Sequence, residues 1–444
     1  MNDKHVYLYD STLRDGAQTQ GVDFNPADKA LIALELDAIG IDYIEGGWPG
    51  ANATDDAFFA DPPALKRSRL TAFGMTRRAG RSADNDPTLT AILTTAAKTV
   101  CIFGKTWDFQ VETALGVDLD ENIRMIADSI KHATTKTDEV LFDAEHFFDG
   151  YKADPEFAIN CLTAALDAGA RWVVLCDTNG GTLPHEVEEI VIQVTKHIPG
   201  SHLGIHAHDD TGNAVANSLA AVRAGARQVQ GSLNGLGERC GNANLISIIP
   251  TLVLKMGYQT SVTEHDMTKL THLSRLLDER LNRQPNRGAP YVGESAFAHK
   301  GGVHASAVEK DPSTYEHIDP GTVGNRRHVV VSDQSGRSNI VARFREVGID
   351  IDPKDPKLTK LLETVKDLEY KGYAFDGAEA SFELLARRAL GTVPKYFHCT
   401  SFKVLDERHW DSAGELVTSS EATVKLDVSG QSHMTVAEGN GPVN

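Results

Sequence analysis

Through its first two-thirds the chain alternates short apolar runs with longer amphipathic stretches, and the apolar runs end in polar or charged residues. The runs Val6–Asp10, Tyr43–Gly46, Leu70–Met75, Thr99–Phe103, Glu139–Asp143, Trp172–Asp177, Leu203–Ala207 and Gln228–Ser232 have the length and composition of strands. Helical spacing falls between them at Pro26–Ile39, Asn122–His132, Pro155–Ala168, Pro184–His197 and Ala214–Ala224. Asn25 and Pro26 make an N-cap followed by a first-turn proline, and Gly40, Gly169 and Gly225 sit where helices would be capped at their C-termini. Roughly eight strand–helix units in about 250 residues predict a (β/α)8 TIM barrel. An open doubly wound sheet is the alternative, but no G-x-G-x-x-G follows the first strand. The strand ends read Arg14/Asp15, Glu45, Thr76/Arg77, Lys105, Glu145, Thr178/Asn179, His206/His208 and Asn234. In a barrel these C-terminal ends form one mouth where chemistry is done. The fold class is α/β, with residues 1–275 as a catalytic barrel.

After the barrel the pattern changes. Glu264–Leu281 reads as a helix, and 282–290 is a linker rich in Arg, Asn, Pro and Gly. Residues 285–392 are expected to form a small helical linker or lid region, with helices at Thr359–Tyr370 and Gly377–Leu390. Residues 395–444 turn to strands at Tyr396–Leu405, Leu416–Leu426 and Met434–Ala437. Three strands with an open edge hold too little core to stand alone. This segment is therefore expected to be the truncated start of an α+β regulatory domain.

A length of 444 residues suggests two or three domains, and 41% apolar residues suffice for a sizeable core. The formal charge of −18 argues against nucleic acid or an anionic membrane as partner. Five scattered cysteines without a C-x-x-C pair read as reduced thiols. Neither a leader-like N-terminus nor a membrane-length apolar run is seen, so a cytoplasmic location is expected.

On a strand, residues two apart face the same side, so His206 and His208 converge. Asp15, His206 and His208, with Asn242 as a fourth, offer mixed nitrogen and oxygen ligation suited to Mn, Zn, Fe or, less well, Mg. The bland alternative is a set of hydrogen-bonded polar side chains. Arg14 could grip a carboxylate bidentately, or form a structural ion pair. Thr178 could donate its hydroxyl to the same carboxylate or cap a loop. Glu145 could be a general base, or merely pair with Lys105 or Arg77. Met75, Phe103 and Phe142 suggest an apolar wall. His299 and His304, flanking Lys300-Gly301-Gly302, are candidates for a lid over the mouth or for surface residues. The 235–244 stretch leads from the last strand into a helix, where barrel enzymes often bind phosphate.

Taken together, TLRDG (12–16), HAHDDTGNAVANS (206–218), NGLGERCGNANL (234–245), FAHKGGVHASAV (297–308) and YEHIDPGTVGN (315–325) resemble the metal-dependent barrel family of isopropylmalate, homocitrate and citramalate synthases. Two variants, Ala17 after TLRDG and His304-Ala305-Ser306-Ala307, resemble its citramalate-type branch, as do EGGWPG (45–50) and LFDAEHFFDGY (141–151). The terminal EGNGPVN resembles the start of a helix in the family's regulatory domain. The resemblance implies a Claisen-type condensation of acetyl-CoA with pyruvate in isoleucine biosynthesis. It implies a divalent metal on Asp15, His206, His208 and Asn242, with Arg14 and Thr178 holding the keto-acid carboxylate. Glu145, or His304 with Tyr315 through water, would be the base. It also implies a homodimer whose helical region covers the partner's barrel. Isopropylmalate or homocitrate synthesis on a larger keto acid is the alternative within the family. A metal-dependent lyase or aldolase, and a non-catalytic barrel, are alternatives outside it.

Overall fold

In the computed structural model residues 4–329, 336–346, 348–349, 351–375 and 377–439 are described. They divide into two compact units, Met1–Ala298 with Glu316–His328, and His299–Tyr315 with Val329–Asn444. In the first, β1 (Tyr7–Asp10), β2 (Tyr43–Gly47), β3 (Arg69–Met75), β4 (Thr99–Lys105), β5 (Glu139–Glu145), β6 (Trp172–Asp177), β7 (Leu203–Ala207) and β8 (Gln228–Gly231) form a closed barrel in sequential order. All neighbours are parallel, and β1 closes on β8 from Tyr7↔Gln228 to Asp10↔Gly231. The period-two alternation sorts each strand. Tyr9, Tyr43, Phe73, Cys101, Leu141, Trp172 and Val174 pack together inside the barrel. Their neighbours Leu8, Ile44, Ala72, Val100, Ile102, Phe142, Val173 and Leu175 pack outward in the strand–helix core.

The helices Pro26–Ile39 and Ala214–Ala224 lie where the spacing predicts them. Asn25 caps the first through the Asp28 backbone N–H at 2.9 Å. Three helices are too short to show a period in sequence: Ala53–Ala60, Pro87–Leu93 and Phe147–Ala153. The expected single helix over 264–281 is two, Glu264–Met267 and Leu270–Arg280. No helix among the described residues is long and apolar enough to cross a membrane.

The second unit contains the helices Gly302–Lys310, Arg337–Glu346, Pro356–Tyr370 and Glu379–Leu390. Ile340, Phe344, Leu361, Val365 and Phe382 form its core. Three antiparallel strands follow, His398–Trp410, Leu416–Val428 and Gln431–Gly439. They are longer than expected. Glu438 and Gly439 belong to the last strand rather than to a helix start, and 440–444 lie outside the described residues. Phe402, Trp410 and Met434 are two-thirds or more exposed on this sheet.

One buried ion pair shapes the barrel mouth from outside. Lys29, on the Pro26–Ile39 helix, donates to the carbonyl of Gly46 at 2.9 Å and to the Asp55 carboxylate. Asp55 in turn accepts the Trp48 backbone N–H at 2.7 Å and the Asn52 side chain at 3.0 Å. Gly47 has φ +145°, and a Cβ there would strike the Asp55 carboxylate, so Gly47 is what lets the acid reach this turn. Removing one partner of a buried pair strands the other charge. Lys29→Met is expected to cost about 3–5 kcal/mol of stability, checked by urea unfolding. A cost below about 1 kcal/mol would mean the pair is solvated like a surface bridge.

Candidate active site

The turn after β1 is built on a buried carboxylate. Asp10 accepts the backbone N–H and the hydroxyl of Thr12, both at 2.9 Å, while Thr12 Oγ1 accepts the N–H of Leu233 at 2.8 Å. Burial drives the Asp10 carboxyl up to about 7 against these bonds. The turn so fixed projects Arg14 and Asp15 into the mouth.

Asp15 Oδ2 lies 3.2 Å from His206 Nε2 and 3.8 Å from His208 Nε2, and the two Nε2 atoms are 3.2 Å apart. Asn242 Nδ2 is 3.0 Å from Asp15 Oδ2 and 3.3 Å from His206 Nε2. Turning that amide about its last torsion would bring Oδ1 to the same point. Asp15 Oδ1 and Asn242 Oδ1 are buried without hydrogen-bond partners. Burial opposes charge on Asp15, but Arg14, then His206 and His208, outweigh it and hold the carboxyl well below its ordinary value. Burial, then the charge of His206, push His208 down to about 3, leaving a neutral imidazole. A carboxylate with one orphaned oxygen, two imidazole nitrogens and the orphaned amide oxygen of Asn242 within a buried cluster fit a divalent cation.

His206 is oriented from behind. Its Nδ1 donates to Gln230 Oε1 at 2.8 Å, and Gln230 Nε2 donates to Asp143 Oδ1 at 2.9 Å. This Asp143–Gln230–His206 chain leaves the Nε2 lone pair free for an ion. Burial pushes the Asp143 carboxyl above its usual range.

Arg14 is clamped on two sides. Its Nε donates to Glu45 at 2.8 Å, where the Tyr9 hydroxyl also donates at 2.7 Å, and its guanidinium lies 3.8 Å over the Phe73 ring. A cavity of about 240 Å³ opens in front, lined among others by Arg14, Asp15, Trp48, Phe73, Phe103, Asp143, Glu145, Thr178, His206 and His208. Thr178 Oγ1 accepts the N–H of His146, whose φ is +59°, so its own proton remains to be donated. Glu145 pairs with Lys105 at 2.6 Å. Phe73 stacks on Phe103 at 5.3 Å, and Trp48 meets both edge-on.

Comparison with known proteins gives the same picture at the level of sequence. Residues 5–277 match the HMGL-like family, and 291–372 match the homocitrate synthase post-HMGL domain-like family. The chain is 52% identical to the (R)-citramalate synthase of Aquifex aeolicus, across 99% of this chain and 83% of that one. Identity to the (R)-citramalate synthase of Geobacter sulfurreducens is 53%, with the same coverage. The 2-isopropylmalate synthase of Dictyoglomus turgidum is 31% identical across 99% of this chain and 84% of that one.

The chain belongs to the (R)-citramalate and 2-isopropylmalate synthase family.

Among solved structures, hydroxymethylglutaryl-CoA lyase from Pseudomonas aeruginosa shares the fold. Its TM-score is 0.54 at 21% identity, covering 64% of this chain and 95% of that one.

Within the first unit, several residues expected at this synthase mouth lie elsewhere. Phe142 faces the helices, because Leu141, Asp143 and Glu145 take the inward positions of β5. Met75 does not line the cavity; Phe73, two residues earlier on the same face, fills that place against Trp48. Arg77 turns outward to Glu121 at 2.8 Å and Asp128 at 2.9 Å on the helix Leu119–Ala133. Asn234, at φ +54°, donates to the Ser274 carbonyl. His304 and Tyr315 belong to the second unit, where both are exposed and their rings lie 4.2 Å apart. His299 is buried.

Trp48, Phe73, Asp143 and Gln230 went unnoticed in the sequence. Strand parity could have found three of them, since Phe73, Asp143 and Gln230 are even steps from Met75, Glu145 and Gln228. Gln230→Leu is expected to weaken Mn²⁺ binding by about 10–100-fold, read by calorimetric titration with the melting temperature as control. Unchanged affinity would mean that His206 is oriented without Gln230.

Proposed function

We propose that the chain condenses acetyl-CoA with pyruvate and water to give (R)-citramalate and CoA, a step toward isoleucine from pyruvate. The observation that carries this reading is the identity of 52–53% over 99% of the chain to (R)-citramalate synthases, against 31% to a 2-isopropylmalate synthase. The cavity supports it. Its walls include the aromatic rings of Trp48, Phe73 and Phe103, which offer apolar surface to the methyl group of pyruvate.

Asp15, His206, His208 and Asn242 would hold a divalent ion, whose Lewis acidity supplies polarisation of the keto group and stabilisation of the negative charge developing there. Arg14, fixed by Glu45 and Phe73, binds the pyruvate carboxylate through its Nη atoms, one of which also lies 3.5 Å from Asp15, and the Thr178 hydroxyl donates to the same group. Glu145, which lines the cavity beside Lys105, accepts a methyl proton from acetyl-CoA. The electron pair left on that carbon forms the new bond to the keto carbon, the π pair of the keto group moves to its oxygen, and that oxygen takes up a proton to become the product hydroxyl. Water then cleaves the thioester, its hydroxyl going to the acyl carbon and its proton to the departing CoA sulfur.

Residues 1–275 are the catalytic domain in this reading, 285–392 a helical lid region and 395–444 part of a regulatory domain. The exposed His304–Tyr315 pair serves the barrel of a second copy in a homodimer, assisting proton transfer there.

CoA thiol release should require pyruvate and added Mn²⁺, disappear with EDTA, and be weak with 2-ketoisovalerate or 2-ketoglutarate. Faster release with 2-ketoisovalerate would instead assign the isopropylmalate reaction. Arg14→Lys loses the planar fork and should lower kcat/KM for pyruvate by about 10–100-fold. Phe103→Ala should raise the pyruvate KM and admit 2-ketoisovalerate; steady-state kinetics with both acids checks it.

A further inference from the structure

One side chain at the rim of the mouth ties together the loops after β6, β7 and β8. Arg239 donates through Nε and Nη2 to the two oxygens of Asp210, each at 2.8 Å, and Nη2 also donates to the Thr178 carbonyl at 2.8 Å. Its Nη1 lies 3.7 Å from Glu238, which lines the catalytic cavity; Arg239 itself does not. Asp210 is seated against Gly180, at φ +63°, where a Cβ would strike its carboxylate. Thr211 Oγ1 donates to the Gly180 carbonyl at 3.0 Å, and the Asp209 N–H donates to the Gly241 carbonyl at 2.8 Å. All of these residues belong to the first unit.

As a stabilising device this arrangement is poor. Arg239 has φ +58°, a left-handed backbone that a residue with a side chain adopts only at a cost. Its side chain is 39% exposed, and ion pairs so open to water contribute little. Backbone strain of this kind is retained where the geometry it enforces has a use. What the guanidinium reaches here is the main chain of Thr178, which lines the catalytic cavity with Arg14. Thr178 is thereby held at two points, its carbonyl by Arg239 and its Oγ1 by the His146 N–H at 2.8 Å. Fixing the main chain fixes the direction of Cβ and the hydroxyl, and a hydrogen bond weakens steeply once donor and acceptor are misaligned.

We propose that Arg239, anchored on Asp210, is a positioning residue for keto-acid binding: it holds the Thr178 main chain so that the hydroxyl meets the carboxylate that Arg14 also binds. The proposal rests on Thr178 serving that carboxylate in the condensation proposed above. Arg239 then matters to the keto acid only through Thr178. A general clamp on the mouth would behave differently, because its loss would also disturb Asn242, three residues along the same loop, and with it the cation site.

The full chain, Arg239→Gln, Thr178→Val and the double variant, each loaded with Mn²⁺, would be compared by steady-state kinetics and by calorimetric titration with pyruvate. Each single variant should raise the pyruvate KM and Kd by about tenfold. In the Thr178→Val background, Arg239→Gln should add less than about twofold. It should leave the KM for acetyl-CoA and the affinity for Mn²⁺ unchanged. Arg239→Lys keeps the charge but loses the planar fork, so it should behave like Arg239→Gln. Independent, multiplying losses in the double variant, an equal rise in the acetyl-CoA KM, weakened Mn²⁺ binding, or full pyruvate affinity in Arg239→Lys would overturn the proposal. So would a Thr178→Val variant that binds pyruvate as tightly as the unsubstituted chain. Coupled losses of pyruvate affinity without turnover of any keto acid would uphold the positioning role and sink the condensation. Pyruvate turnover with independent losses would do the reverse.

Discussion

Four paired residues between β1 and β8, Tyr7↔Gln228 to Asp10↔Gly231, close the sheet, and the site depends on that closure. Asp15 and Asn242 are 227 positions apart, yet their side chains meet at 3.0 Å. No local preference could bring them together. A closed ring does so because it places the loops after its first and last strands side by side. Thr12 then ties the two loops directly through the N–H of Leu233.

Closure also forces charge into a dry interior. Arg14, Asp15, Glu45, Asp143, His206 and His208 are all buried or nearly so above an aromatic floor. Isolated charges there would cost several kcal/mol each. Each therefore has a polar or charged neighbour: Glu45 for Arg14, Arg14 and His206 for Asp15, Gln230 for Asp143. The oxygens left without partners, Asp15 Oδ1 and Asn242 Oδ1, lie on the two side chains that meet the paired histidines. A cation would supply the partner that these two oxygens lack, which a merely stable polar mouth would not need.

Much of this was legible beforehand. Eight apolar runs ending in polar groups carry the barrel, and the spacing of His206 and His208 carries half of the cation site. Asp15 and Asn242 could be joined to them because a barrel is a strong geometric constraint. Side-chain direction was harder to read. Arg77 looks like a mouth residue until the carboxylates of Glu121 and Asp128 on the neighbouring helix draw it outward. Phe142 looks like a wall residue until strand parity is counted from Glu145. Trp48 could not be found by parity at all, since it follows β2 in a turn whose shape is set by Asp55. The longer strands at 398–439 show how weak period-two signals become when both sheet faces carry mixed residues.

That turn has a consequence for how the pocket can be altered. Trp48 props up Phe73 and Phe103, but its own backbone hangs from Asp55, which is gripped by Lys29 on the barrel's outer helix layer. The aromatic wall of the cavity is thus connected to the helix layer behind it. Changes in the packing of the Pro26–Ile39 and Ala53–Ala60 helices would tilt the indole and resize the cavity while every residue facing the substrate stayed the same. In the proposed reading, selectivity would be held partly by side chains that no substrate touches.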